Sequence, residues 1–389
     1  MRTAEGGADW LSGTYGRSEV AAAIWVGSMG LLVLGLQPIL LGAMFTERRI
    51  DLDGLALVAT IEIIAIAIGS VLAGFLGTKS GLRVKAAAFL LGVAFCNFAM
   101  AYAPGLGQIV GLRAVAGLFE GGLVMIAIEL IARARQAEKL GGYFVTTQTL
   151  AQSGLALLLA FWVIPTWGSS GGFAVMGFAC LLSILIATRI APGYAPLAAG
   201  AQSSGGVFTV RSILALLSIF AFFCFIGAIW AFLEPLGARS GIKETTVGVI
   251  VSGNLAIQVI GSLCATWAVE RINVTTGILG ASIAGIAAGL VLTSAPGLAV
   301  FAAAALMIGF VWLFIIPFQI GMAVDADPSQ VLATLVPAAN LMGAALGPLF
   351  ASFFITGDDV DGVIWCGLGA AVISIALFGA FKLAAKGRQ

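Results

Sequence analysis

Four ionisable side chains, Glu62, Arg113, Glu120 and Glu234, stand inside long apolar stretches of this 389-residue chain. A charge in hydrocarbon costs several kcal/mol unless it meets a partner or a wet cavity, so each is a functional candidate. Arg113 and Glu120 are seven residues apart, two helical turns and ~10 Å along the axis, which puts them on one helix face. Gly117 shares that face and leaves room beside them. A guanidinium in such a place can hold an anionic group through charge-assisted hydrogen bonds. A carboxyl in a low-dielectric site can load and release a proton. Glu62 meets the depth condition for a proton carrier best, Glu234 sits beside a proline, and Glu120 is a third candidate that Arg113 can hold ionised. The competing account of the Arg113 group is a structural ion pair between helices.

Amides and aromatic rings extend the candidate list. Gln148 with Gln152, and Asn254 with Gln258, are i,i+4 pairs that stack on one helix face. Gln37, Gln319 and Asn340 add single amides to other apolar runs, and Trp230 and Trp312 supply rings able to stack on an apolar or aromatic solute. These thirteen groups, with Arg113, Glu120 and Glu234 among them and Glu62 as the deep carboxyl, are the expected lining of a shared wet cavity. Helix-to-helix hydrogen bonding and ring packing are the alternative account of any single one. Gln37-Pro38, Glu234-Pro235 and Pro317 place prolines inside apolar runs, where each removes a backbone bond and is expected to kink its helix.

Composition excludes other chemistries. The chain has no histidine, so imidazole dyads, proton relays and the usual zinc sites are absent. Its five cysteines lie in apolar runs without a CxxC spacing and read as core residues. No Gly-x-x-x-x-Gly-Lys-Ser/Thr run for nucleotide phosphates occurs, and a net charge of +1 offers no basic tract for nucleic acid. No cofactor and no metal are expected.

The elements that must position these groups follow from 60% apolar and 10% charged residues, against ~25% charge in a soluble domain. Apolar runs predict twelve spans, near 20–44, 54–77, 85–103, 107–132, 142–165, 171–190, 210–236, 245–268, 276–295, 297–323, 330–356 and 362–385. Each is long enough for a transmembrane helix and about twice a barrel strand, so the fold class is an all-α polytopic membrane protein. With the termini inside, fourteen Lys and Arg fall in cytoplasmic segments and four outside, which places both termini in the cytoplasm. A cell (inner) membrane location and a monomer are expected.

Residues 192–211 form the longest weakly apolar interruption and read as a cytoplasmic linker between an N-terminal bundle, 1–191, and a C-terminal bundle, 212–389. Shifting the chain by 192 residues lays Ile68-Gly69-Ser70 on Ile260-Gly261-Ser262, Thr78-Lys79 on Glu270-Arg271, Gly117 on Gly309 and Glu62 on Asn254. Two related halves of six spans each are therefore expected.

The connection Gly74-Phe75-Leu76-Gly77-Thr78-Lys79-Ser80-Gly81-Leu82-Arg83 resembles a loop motif of the major facilitator superfamily of secondary transporters, with Thr78 where the family's Asp is usual. Arg113-Ala114-Val115-Ala116-Gly117 is similar to that family's membrane Arg followed four residues later by Gly. The antiporter Gly-Pro step is missing around Gln152-Ser153-Gly154; Gly343 to Pro348 carries such a step in the eleventh span instead. The resemblance implies two six-helix bundles that rock about a mid-membrane site. It also implies a cytoplasmic gate built from Thr78, Lys79, Arg83, Glu129, Arg133, Glu270, Arg271 and Asp325, for which ordinary solvated loop charge is the alternative. The expected function is secondary active transport of a small organic solute, proton-coupled, the solute an organic anion or an aromatic compound. Proton-driven efflux of drugs or metabolites is the alternative, and a membrane receptor or enzyme the remoter one. Small-molecule solute, protons and lipid are the expected partners.

Overall fold

The computed structural model describes residues 15–76, 80–134, 137–194, 209–327, 331–357 and 359–386, and among these the regular structure is helical, with two isolated bridges and no strand. The helices are α1 (Arg17–Met29), α2 (Leu32–Thr46), α3 (Leu52–Leu76), α4 (Leu82–Ala99), α5 (Leu106–Ala132), α6 (Ala137–Leu158), α7 (Ile164–Ala187), α8 (Val210–Ala231), α9 (Leu233–Arg239), α10 (Glu244–Ala268), α11 (Val274–Leu292), α12 (Leu298–Phe314), α13 (Ile316–Ala326), α14 (Val331–Ser352) and α15 (Asp361–Lys386). Eleven helical stretches are long and apolar enough to cross a bilayer. One of them, Lys139–Ala187, has 49 residues. At 1.5 Å per residue it is more than twice as long as a ~30 Å hydrocarbon core needs. It breaks at Gly168, whose φ of 63° is open to glycine and strained for other residues, so it supplies two crossings and brings the total among the described residues to twelve.

Where helices break, the cause is local. The seventh span is interrupted at Phe232 (φ −99°, ψ 13°), between α8 and α9 and three residues before Pro235, and the tenth at Ile315, between α12 and α13 and two before Pro317, as a missing N–H demands. The first span, α1 with α2, departs from the proline expectation. Pro38 lies within α2, and the break falls at Gly30 and Leu31 instead. A side chain on Gly30 would strike the Glu120 carbonyl, so the break sits where the backbone must press closest to α5.

The chain resolves into two compact units. The first comprises residues 1–36, 61–155 and 166–200; the second comprises 37–60, 156–165 and 201–389. In the first, α5 is the central helix. Gly117 and Gly121 lie on the backbone of α3, where an added Cβ would meet the Glu62 and Ile66 carbonyls, and Gly27 lies on Ala127. Lipid tails provide no hydrophobic drive between helices, so such small-residue approaches hold them together. In the second unit, α8 packs on α14 through Gly227, Gly343 and Gly347, and on α15 through a reciprocal clasp. Ser218 donates to the Ser374 carbonyl at 2.9 Å and Ser374 to the Ser218 carbonyl at 2.7 Å.

The internal repeat is visible in these approaches. Gly69 presses on Leu118 and Gly261 on Phe310; Gly117 presses on residue 62 and Gly309 on residue 254. All four partners obey the offset of 192. At these equivalent positions the same glycines solve the same close-packing problem.

Candidate functional site

Arg113 projects from the third turn of α5 and is fully buried in the first unit. Its Nη2 forms an ion pair with Glu62 Oε1 on α3 and lies 3.4 Å from Glu120 Oε1 one helical stretch further along α5. Nη1 donates to Asn97 Oδ1 on α4 at 2.8 Å, and the guanidinium lies 5.2 Å from the centroid of the Phe173 ring on α7. Arg113 and Glu120 thus share a face as their spacing suggested, and α3 brings Glu62, nominated by its depth alone, to the same guanidinium. Asn97 and Phe173 were not anticipated, although Asn97 is the one amide in α4. The cluster sets two carboxyls against one guanidinium, and Glu62 Oε2 and Glu120 Oε2 have no hydrogen-bond partner.

The matching position in the second unit carries different chemistry. Under the same offset Glu62, Arg113 and Glu120 become Asn254, Ala305 and Trp312. Asn254 Nδ2 donates to the Ala305 carbonyl at 2.5 Å, so an amide-to-backbone bond joins α10 to α12 where an ion pair joins α3 to α5. Gln258 donates to Asn254 Oδ1 at 3.0 Å, realising the expected i,i+4 pair. Trp312 meets Trp230 edge to face, with centroids 5.4 Å apart. One half offers buried charge, the other amides and indoles.

Other expected residues lie apart from these clusters. Gln152 donates to the Leu31 carbonyl at 2.5 Å, tying α6 to the break between α1 and α2, and Gln148 is part-exposed on the same helix. Gln37 donates to the Ala59 carbonyl at 3.2 Å. Gln319 and Asn340 are buried, each with an amide oxygen that finds no partner.

Glu234 lies in α9, 4% exposed, in the second unit. One of its oxygens bonds the Thr46 side chain, and Gly42 leaves space for the acid: a Cβ there would come 2.5 Å from Glu234 Cγ. Oε2 has no hydrogen-bond partner, and Glu234 lines a cavity of about 170 Å³ together with Pro38, Ile39, Ile164 and Glu244. Glu244, at the start of α10, was not foreseen because it sits on a span boundary, where a helix-opening acid is ordinary.

Of the expected gate residues, Thr78 and Lys79 lie outside the described residues. Arg83 donates to the Ile190 carbonyl at 2.7 Å. Arg133 pairs with Glu129 one turn earlier and lies 4.8 Å from the Tyr194 ring centroid. Asp325 pairs with Arg211 at 2.7 Å, and Glu270 lies 3.8 Å from Arg271.

Comparison with known proteins agrees with this architecture. The profile of the Major Facilitator Superfamily matches residues 20–351. A niacin transporter of Acinetobacter baylyi (strain ATCC 33305 / BD413 / ADP1) is 27% identical over 135 residues, 34% of this chain and 31% of that protein, so the chain matches about a third of the length of this curated relative. Among solved structures, a bacterial homologue of the human lysosomal transporter Spinster, in an inward-facing and occupied conformation, superposes with a TM-score of 0.69 at 13% identity over 94% of this chain and 96% of that one. The nucleoside transporter NupG (D323A mutant) gives 0.68 at 12% identity over 94% and 99%. The match over most of the sequence, on a fold of long apolar helices among the described residues, makes this chain a member of the Major Facilitator Superfamily, a multi-pass membrane protein.

Proposed function

We propose that the protein moves a small organic solute, an organic anion or aromatic acid foremost, coupled to protons and by alternating access of two six-helix bundles. The observation that carries this reading is the charge count of the buried cluster, two carboxyls around the single guanidinium of Arg113. Such a group is neutral when it holds one proton, and neutrality is what a low-dielectric site favours. A solute carboxylate that pairs with Arg113 displaces one acid, which then retains its charge only at high cost. Entry of one anion therefore favours uptake of one proton. Glu62 and Glu120 are the acids so placed, and Glu234 is a third carrier beside a helix break.

The Trp230–Trp312 pair and the Asn254–Gln258 amides support an aromatic, hydrogen-bonding solute, and Gln37, Gln148, Gln152, Gln319 and Asn340 are proposed as further contacts. The named solute of the niacin transporter, an aromatic acid, supports the same class. Residues 1–191 and 212–389 are proposed as the two bundles, joined by residues 192–211. Both termini are proposed to lie in the cytoplasm of a cell with an inner membrane, a reading the Lys and Arg distribution supports. The protein works as a monomer in this reading. Arg83, Glu129, Arg133, Glu270, Arg271 and Asp325, with Thr78 and Lys79, form the proposed gate.

Uptake into proteoliposomes tests it, with nicotinate and benzoate as probes and a pH difference as the sole driving force. Wild type should concentrate one or both probes. Replacing the true carrier among Glu62, Glu120 and Glu234 by Gln should keep exchange and abolish accumulation. Accumulation that survives in all three variants would refute proton coupling through these acids.

A further inference from the structure

We infer that the cavity bounded by α2, α9, α10 and residues 160–165 is a binding site for a small organic ammonium ion, separate from the Arg113 cluster. Two carboxylates line it, Glu234 and Glu244, and no Lys or Arg does. Each of these lining acids carries an unsatisfied acceptor: Glu234 Oε2 and Glu244 Oε1 are buried and have no hydrogen-bond partner. Glu47, on the turn after α2, adds its negative charge to the field at Glu244. Buried acceptors without donors are costly, and an N–H donor bearing a positive charge satisfies both the hydrogen-bond and the charge deficit at once.

The remaining walls decide which cation fits. Pro38, Ile39, Ile164 and Val251 are apolar, and the polar groups besides the acids reduce to the Thr245 side chain and nearby Thr46. A bare metal ion wants oxygen on every side, and most of this lining is hydrocarbon. An amine needs only one charged end and covers the apolar wall with its hydrocarbon. A cavity of about 170 Å³ is smaller than the ~300 Å³ at which drug-sized pockets begin, so the occupant is a fragment-sized primary amine.

Binding is measured on purified wild-type protein without any gradient, which makes the outcome independent of proton coupling. The probes are phenethylammonium, its neutral counterpart 2-phenylethanol, and sodium ion, titrated calorimetrically at neutral pH and constant ionic strength. Phenethylammonium should bind saturably and 2-phenylethanol at least tenfold more weakly. Glu234→Gln should weaken the amine tenfold or more, and Glu244→Gln, at the mouth of α10, several-fold. Should the Glu234 variant fail to fold, Glu244→Gln alone still decides. Equal affinity for the amine and the alcohol, or an amine affinity unchanged in Glu244→Gln, would overturn the assignment. Sodium that binds and displaces the amine would overturn it in favour of an inorganic cation.

Discussion

Converting the charged half to the chemistry of the amide half tests what the Arg113 cluster does for the fold. Arg113→Ala removes the single cation and leaves Glu62 and Glu120 buried against each other. Removing one partner of a buried ion pair costs ~3–5 kcal/mol, because the survivor is left uncompensated. The second half shows how the same helix contact stands without charge: Asn254 donates to the carbonyl of Ala305. Glu62→Asn combined with Arg113→Ala recreates that pair at the equivalent positions. The double variant removes one orphan acid and gains an amide-to-carbonyl bond worth ~1 kcal/mol. It should therefore be more stable than Arg113→Ala alone by ~2 kcal/mol or more, although it carries one more substitution. A shift of 1 kcal/mol moves the melting temperature by ~2–4 °C in domains of 150–250 residues and by less in larger chains. A rescue of roughly 2–5 °C is expected in a thermal-stability assay of detergent-purified protein, compared at one scan rate. If the double variant melts at or below Arg113→Ala, the equivalence of the two halves at this level is wrong.

Two further changes probe packing and loop electrostatics. On α5, Gly121→Ala drives a methyl into the backbone of α3 and should cost ~1–3 kcal/mol by overpacking, whereas Gly111→Ala, with open space around it, should be neutral or stabilising by ~0.5–1 kcal/mol; melting of the two variants side by side checks this. Tyr194 lies beyond the last helix of the first half, and burial pushes its phenol up to about 12 despite the opposing Arg133. A raised folded value means full stability below pH ~10, where the unfolded phenol is also neutral, and loss as pH rises from there through about 12. Tyr194→Phe should flatten that alkaline decline in a pH series of melting temperatures; an unchanged decline would place the titrating group elsewhere.

Length and hydrophobicity alone determined the class of fold, since hydrocarbon admits few ways to satisfy a backbone and each run is long enough for a helix. The repeat was legible for a related reason: Gly69, Gly117, Gly261 and Gly309 must stay small wherever two backbones touch, so packing leaves a trace in the sequence. Arg113 with Glu120 could be read from helical spacing because both lie on one element. Glu62 could be nominated by its depth, while its pairing with Arg113, and the presence of Asn97 and Phe173, depended on three other helices. Here tertiary structure alone decides. In a membrane helix both the packed face and the lipid face are apolar, so periodicity does not tell which side meets which neighbour. Exposed Phe95, Leu185 and Trp365 are as hydrophobic as buried Phe173 and Phe222. The same ambiguity leaves unread that stretches 37–60, from α2 and α3, and 156–165, at the end of α6, pack within the second unit and bring Pro38 and Ile164 to Glu234 and Glu244. That cavity exists because helix ends from distant parts of the chain converge, and no spacing along the sequence encodes their meeting.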